Sequence, residues 1–201
     1  HSQNGEDGLL LHIFSEIGVT NRCFVEFGIG DGRECNTANL SLHFGWRGLL
    51  MDGDAAKAAK ATTYYARHLK DQAARVRVAQ RWITKDTINQ TLAELAPEKD
   101  LDLLSIDIDG NDYWVWEAID AVTARVVVIE YNAAYGFERV ISTVYDPEFT
   151  RWKKHASGLY FGASLAALTK LGAAKGYRLV GCDRHGVNAF FVREDVVTSA
   201  L

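Results

Sequence analysis

The sequence has almost no proline. Pro97 and Pro147 are the only two, and no Gly/Ser-rich or repeated stretch accompanies them, which excludes flexible linkers, solenoid repeats and low-complexity tails. Cysteine is scarce too. Cys23, Cys35 and Cys182 are odd in number, widely spaced and form no C-x-x-C pair, so neither a disulfide framework nor a thiolate zinc site is expected, and a reducing cytoplasm suits them. His12, His43, His68 and His185 show no ligand spacing with one another or with a cysteine, so a histidine zinc site has no support. Positive charge is not in excess. With 22 basic and 26 acidic residues the formal net charge is −4, the opposite of a surface that binds nucleic acid by releasing counter-ions. Long apolar runs are missing, since none approaches the roughly 18 residues that span a bilayer, and His1 to Gly8 is polar rather than signal-like. No G-x-S-x-G elbow or P-loop G-x-x-x-x-G-K-[ST] appears, which counts against an α/β-hydrolase or a nucleoside triphosphatase. The chain opens at histidine, as a processed or trimmed chain does.

What is present is a chain of 201 residues, 48% hydrophobic, enough for one substantial core and too short for two ordinary domains. A single domain over residues 1–201 is therefore expected. Leu9, Leu10, Ile13, Phe14 and Ile17 fall on one face of a 3.6-residue period, predicting a helix from Glu6 to Ile17 that stops at Gly18. Strand-length apolar runs follow at Cys23 to Phe27, Gly48 to Met51, Val76 to Ala79, Leu101 to Ile108 and Val126 to Ile129. Several lack strict polar alternation, as parallel strands covered on both faces do. Helix-like stretches lie between them at Thr37 to Phe44, Ala55 to Leu69, Thr87 to Leu95 and Tyr113 to Ile119. Such alternation builds right-handed βαβ units, hence a doubly wound α/β sheet with its ligand crevice at the carboxyl ends of the strands. After a helix over Ser164 to Ala174, the runs Tyr177 to Cys182 and Ala189 to Val192 are close enough to form an antiparallel hairpin through Asp183-Arg184-His185-Gly186.

The strongest local signal is Val25-Glu26-Phe27-Gly28-Ile29-Gly30-Asp31-Gly32, three alternate glycines where the first strand turns toward a helix. Backbone without side chains there can approach a ligand closely. The dinucleotide fingerprint G-x-G-x-x-G is broken by Arg33 at its third glycine, which disfavours a nicotinamide. One βαβ step later, Leu50-Met51-Asp52-Gly53-Asp54 supplies acids of the kind that accept both hydroxyls of a ribose. Asp52 is the first choice for that role, because Asp54 directly precedes an Ala-rich helix and fits a helix cap.

These motifs, together with Ser2-Gln3-Asn4-Gly5-Glu6-Asp7, Asn36-Thr37, Gly45-Trp46-Arg47-Gly48, Leu104 through Tyr113, Glu130-Tyr131-Asn132 and Asn188-Ala189-Phe190-Phe191-Val192, resemble a bacterial branch of the FkbM-like S-adenosylmethionine-dependent methyltransferases. The resemblance spans nearly the whole chain. It implies a class I methyltransferase, Rossmann-like fold of seven strands with the last antiparallel. It also implies that Glu26, Gly28 and Gly30 line the methionine side of the cofactor, that Asn36 and Thr37 reach its carboxylate end, and that Asp52 holds its ribose. Trp82 and Ile83, just after the third strand, would flank the adenine or else belong to ordinary core packing.

The fourth strand runs into Asp107-Ile108-Asp109, two acids on one side of an extended chain, and the fifth into Glu130-Tyr131-Asn132. Asp107, Glu130 and Asn132 offer hard oxygen ligands for Mg²⁺, as in some class I O-methyltransferases; without a metal, Asp107 or Asp109 would bond the cofactor amine or the substrate. Asn111 and Asp112 are expected to cap the next helix. Residues 136–162 lose clean periodicity and carry Tyr145, Tyr160, Phe161 and the basic run Arg151-Trp152-Lys153-Lys154-His155, as a lid or substrate segment would. His155 is either the general base or a solvated surface histidine. Tyr113, Trp114 and Trp116 suit helix-to-sheet packing or an oligomer face. The expected function is methyl transfer from S-adenosylmethionine to an oxygen, less readily a nitrogen, of a small acceptor. The alternatives are an NAD(P)-dependent oxidoreductase and a non-catalytic nucleoside-binding module.

Overall fold

The computed structural model describes residues 1–201. The first helix, α1 (Glu6–Ile17), buries Leu10, Ile13 and Phe14 and stops at Gly18, whose φ of 70° ends the helical path. Between strands β1 (Cys23–Phe27) and β2 (Arg47–Asp52) lies the short α2 (Ala38–His43). Helix α3 (Ala55–Leu69) begins where Asp54 accepts the amides of Ala56 and Lys57 at 2.7 and 3.0 Å, the cap its position suggested. There follow β3 (Val76–Gln80), α4 (Ile88–Leu95), β4 (Asp100–Ile106), α5 (Asp112–Ala118), β5 (Thr123–Glu130), the short α6 (Arg151–Lys154), α7 (Leu165–Ala174), β6 (Tyr177–Cys182) and β7 (Asn188–Arg193).

The seven strands form one sheet in the order β3-β2-β1-β4-β5-β7-β6. Strands β1 to β5 are mutually parallel, and β7 runs antiparallel to both of its neighbours. The terminal hairpin is therefore present, but its second strand is inserted beside β5 and β6 forms the edge. Alternate residues feed opposite faces, as a pleated strand requires. Phe24, Leu50, Leu103 and Val126 join one core with α1, α2 and α3, whereas Val25, Leu49, Leu104 and Val127 join a second with α4, α5 and α7. Both faces being covered explains the near-continuous apolar runs. Trp116 is fully buried against Tyr177 and Phe191, so it belongs to the core.

The strand order reverses between β1 and β4, which places the crevice at their carboxyl ends. At the opposite end Asp102, fully buried, accepts the amides of Thr20, Asn21 and Arg22 and ties the entry of β1 to β4. No helix is long and apolar enough to cross a membrane.

Candidate active site

The glycine loop divides its labour. At Gly28, φ is 73° and an added Cβ would lie 1.5 Å from the Asp107 carbonyl oxygen, so this glycine lets the tips of β1 and β4 close together. At Gly30, φ is 56° and nothing lies within 4 Å of the Cβ position. Its amide donates to Asp52 Oδ2 at 2.8 Å. Gly30 thus has open space at its Cβ position, whereas Gly28, itself exposed at the crevice, has none because the β4 tip lies against it.

Glu26, Asn36 and Thr37 are brought together, chiefly by one another. Glu26 is buried at the end of β1, where its Oε1 accepts the Asn36 amide at 2.8 Å and its Oε2 accepts the Thr37 amide at 3.0 Å and the Thr37 hydroxyl at 2.5 Å. Asn36 Nδ2 donates to Ser105 Oγ at 3.1 Å on β4. Burial raises the Glu26 carboxyl, and these donors oppose the shift. The acid anchors the start of α2 to the sheet. Thr37 is fully buried and does not line the crevice, whereas Glu26 and Asn36 do.

Two clefts meet over this loop. One, about 150 Å³, is polar and includes Gln3, Glu6, Glu26, Asn36, Asp107 and Asn188 in its wall. From sequence alone Gln3, Glu6 and Asn188 have no site role; the fold joins Asn188 to Glu6 by an Nδ2 to Oε1 bond of 2.9 Å, and Gln3 Nε2 donates to Glu34 Oε2 at 2.9 Å beside them. The other, about 400 Å³, is lined by Asp52, Trp82, Ile83 and Asp107 and is closed on one side by Phe149 and Arg151. Gly28, Gly30 and Asp107 border both. Asp52 also accepts the Asp54 amide on Oδ1 at 2.8 Å, which fixes the carboxylate while leaving each oxygen a further lone pair. Trp82, 54% exposed, packs on Gly53 and donates Nε1–H to the Pro147 carbonyl at 2.8 Å. Its ring is therefore cleft wall rather than core, while Ile83 is both.

The acids after β4 and at the end of β5 converge by a route other than the expected one. Strand β4 ends at Ile106, and Asp109 is left-handed at φ 60°, so Asp107 and Asp109 do not share a side of an extended strand. A turn brings them together. Asp112 braces it by accepting the amides of Ile108 and Gly110 at 2.8 and 2.9 Å, so it holds the turn instead of capping α5. Asn111 stands at the cap position, but its side chain donates to the Asp146 carbonyl at 2.7 Å. One carboxylate oxygen from each of Asp107, Asp109 and Glu130 lies within 4.8 Å of the others. Burial, then mutual repulsion, holds the carboxyls of Asp107 and Glu130 well above the usual range, and Asp112 is pushed up to about 6 by the same causes.

Two expected residues stand apart from this group. Asn132 has its amide tied to backbone: Oδ1 accepts from Ala134 at 3.0 Å, and Nδ2 donates to the carbonyls of Leu159 and Phe161 at 2.8 and 3.0 Å. It fastens residues 159–161 and lines neither cleft. His155 is exposed just past α6, its Nδ1 bonded to Ser157 Oγ at 2.7 Å, and it lines neither cleft. The residue of that basic run that enters the site is Arg151, 3.0 Å from Asp109 and 3.7 Å from Glu130, with its guanidinium 3.5 Å from the Phe161 ring centroid. Nothing in the run distinguishes Arg151 from Lys153 or Lys154 before the fold is known.

Residues 136–162 lie across the strand tips. Gly162 donates to the Gly110 carbonyl at 3.1 Å, Thr143 Oγ1 does the same at 3.1 Å, and Phe149 fills the space over Gly110. Trp114 contributes by donating Nε1–H to the Thr143 carbonyl at 2.8 Å.

This topology is the class I methyltransferase, Rossmann-like fold. Similar solved structures are an O-methyltransferase from Bacillus cereus in complex with SAH (TM-score 0.60, 19% identity, covering 95% of this chain and 80% of that one) and magnesium protoporphyrin IX methyltransferase from Synechocystis PCC 6803 with bound SAM (0.59, 10%, 94% and 77%). A third is geranyl diphosphate C-methyltransferase from Streptomyces coelicolor A3(2) with Mg²⁺, geranyl diphosphate and SAH (0.57, 13%, 94% and 80%). No protein-family model matches the chain, and no curated protein matches it in sequence.

Proposed function

We propose that this protein is an S-adenosylmethionine-dependent methyltransferase, most simply an O-methyltransferase acting on a small-molecule or glycan-type hydroxyl. The observation that carries the reading is the meeting of a polar and a half-apolar cleft at Gly30 and Asp107. A molecule with an amino-acid end and a nucleoside end fits such a pair, and Gly30 leaves the room it needs. The binding of SAM or SAH by similar structures supports the reading, as does the FkbM-like pattern of motifs.

In this reading Asp52 receives the ribose hydroxyls, Trp82 and Ile83 flank the adenine, and the polar cleft beside Glu26 and Asn36 takes the methionine end. The bound cofactor supplies a methyl carbon already activated by a positive sulfur. The chain's own part is alignment of the acceptor, worth ~7 to 11 kcal/mol through proximity, and acceptance of its proton. Asp107, at the junction of the clefts, and Asp109 beside it are the groups placed to orient the acceptor. Mg²⁺ held by Asp107 and Glu130 would lower the acceptor's pKa and make a protein base less necessary. Residues 136–162 act as the lid that excludes water, and the unpaired thiols suit a reducing cytoplasm.

Calorimetry with S-adenosylhomocysteine and with NAD tests this directly. The expected result is one-to-one binding of the thioether and none of NAD; binding of NAD alone overturns the proposal in favour of a redox enzyme.

A further inference from the structure

We propose that the pocket formed by Asp107, Asp109 and Glu130 is a divalent-cation site whose resident occupant is Arg151, so that metal binding and the docking of α6 exclude each other. Three carboxylate oxygens within 4.8 Å of one another suit a hard cation. Arg151 meets this demand only in part. Its Nη1 is 3.0 Å from exposed Asp109 but 3.7 Å from Glu130, beyond hydrogen-bond reach. Glu130 is 7% exposed, and its Oε2 is out of water with no hydrogen-bond partner. A single guanidinium charge thus faces three acids and leaves the deepest one with an orphaned oxygen, an arrangement that favours replacement by a doubly charged ion.

The exclusion follows from geometry. A cation within reach of Asp109 and Glu130 would sit against Nη1, like charge against like charge, and Arg151 must leave. Its Nε donates to the Gly158 carbonyl at 2.7 Å and its guanidinium covers the Phe161 ring, so its departure loosens α6 from residues 158–161 and leaves Trp152 on Gly158 as the remaining contact. Cation occupancy would loosen α6 alone, because Thr143 and Gly162 stay fastened to the Gly110 carbonyl and keep the rest of the segment over the crevice. The inference rests on reading the three acids as the cation site, and it stands whether or not the reaction is methyl transfer.

The test is Mn²⁺ titration of the full chain, followed by the spin resonance of the free ion, with tryptic cleavage after Lys153 and Lys154 as a second readout. Arg151→Gln should tighten Mn²⁺ binding at least about tenfold, Arg151→Lys should tighten it less, and Glu130→Gln should abolish it in either background. Saturating Mg²⁺ should speed cleavage of the wild type about tenfold and leave Glu130→Gln unaffected. Equal or weaker Mn²⁺ affinity in both Arg151 variants, or binding that survives Glu130→Gln, overturns the inference. Titration of the same samples with S-adenosylhomocysteine separates the two proposals: thioether binding without Mn²⁺ binding sinks this one and spares the methyltransferase, and Mn²⁺ binding without thioether binding does the reverse.

Discussion

Gly28 and Gly30 are two residues apart, share a positive φ, and should respond oppositely to the same substitution. Gly28→Ala drives a methyl group into the Asp107 carbonyl, so the expected outcome is loss of folding by circular dichroism. Gly30→Ala meets no neighbour and costs about 1–2 kcal/mol for a left-handed alanine, so the chain should fold and lose thioether affinity. Asp52→Ala strips two amides, Gly30 and Asp54, of their acceptor and should cost about 1–3 kcal/mol in urea denaturation while weakening thioether binding at least about tenfold. The buried acids predict a pH dependence. Carboxyls held above their unfolded values favour folding while protonated, so the contribution of these acids is full below the usual carboxylate range and is lost as pH rises through that range to about 6, where Asp112 ionises. Glu130→Gln removes one of the mutually repelling acids and should flatten that decline; parallel profiles for variant and wild type would refute the assignment.

At the level of elements, the segment over the crevice hangs on a few polar fasteners from the sheet and α5. Asn132→Ala should free the carbonyls of Leu159 and Phe161 and raise proteolysis within residues 136–162 while the sheet stays intact; unchanged cleavage would show that Asn132 is dispensable there. The elements themselves were largely legible, because runs such as Cys23 to Phe27 and the face Leu10, Ile13 and Phe14 carry their burial in their periodicity. The ends of elements were less so. Strand β4 stops two residues earlier than its apolar run suggests, because Asp112 captures the amides of Ile108 and Gly110, a side-chain choice without periodic signature. The same limit hid Arg151, whose role comes from a contact between segments far apart in sequence.

For the whole molecule, the two faces of the sheet are devoted to packing, and the crevice at the switch in strand order is left for chemistry. The methyltransferase reading depends on that crevice accepting a nucleoside thioether across Gly30. The most direct measurement is calorimetric titration of wild type and Asp52→Ala with S-adenosylhomocysteine. One-to-one binding by the wild type, weakened at least about tenfold in a folded Asp52→Ala, is the predicted result. No heat at saturating ligand, or equal affinity in the two proteins, would contradict it.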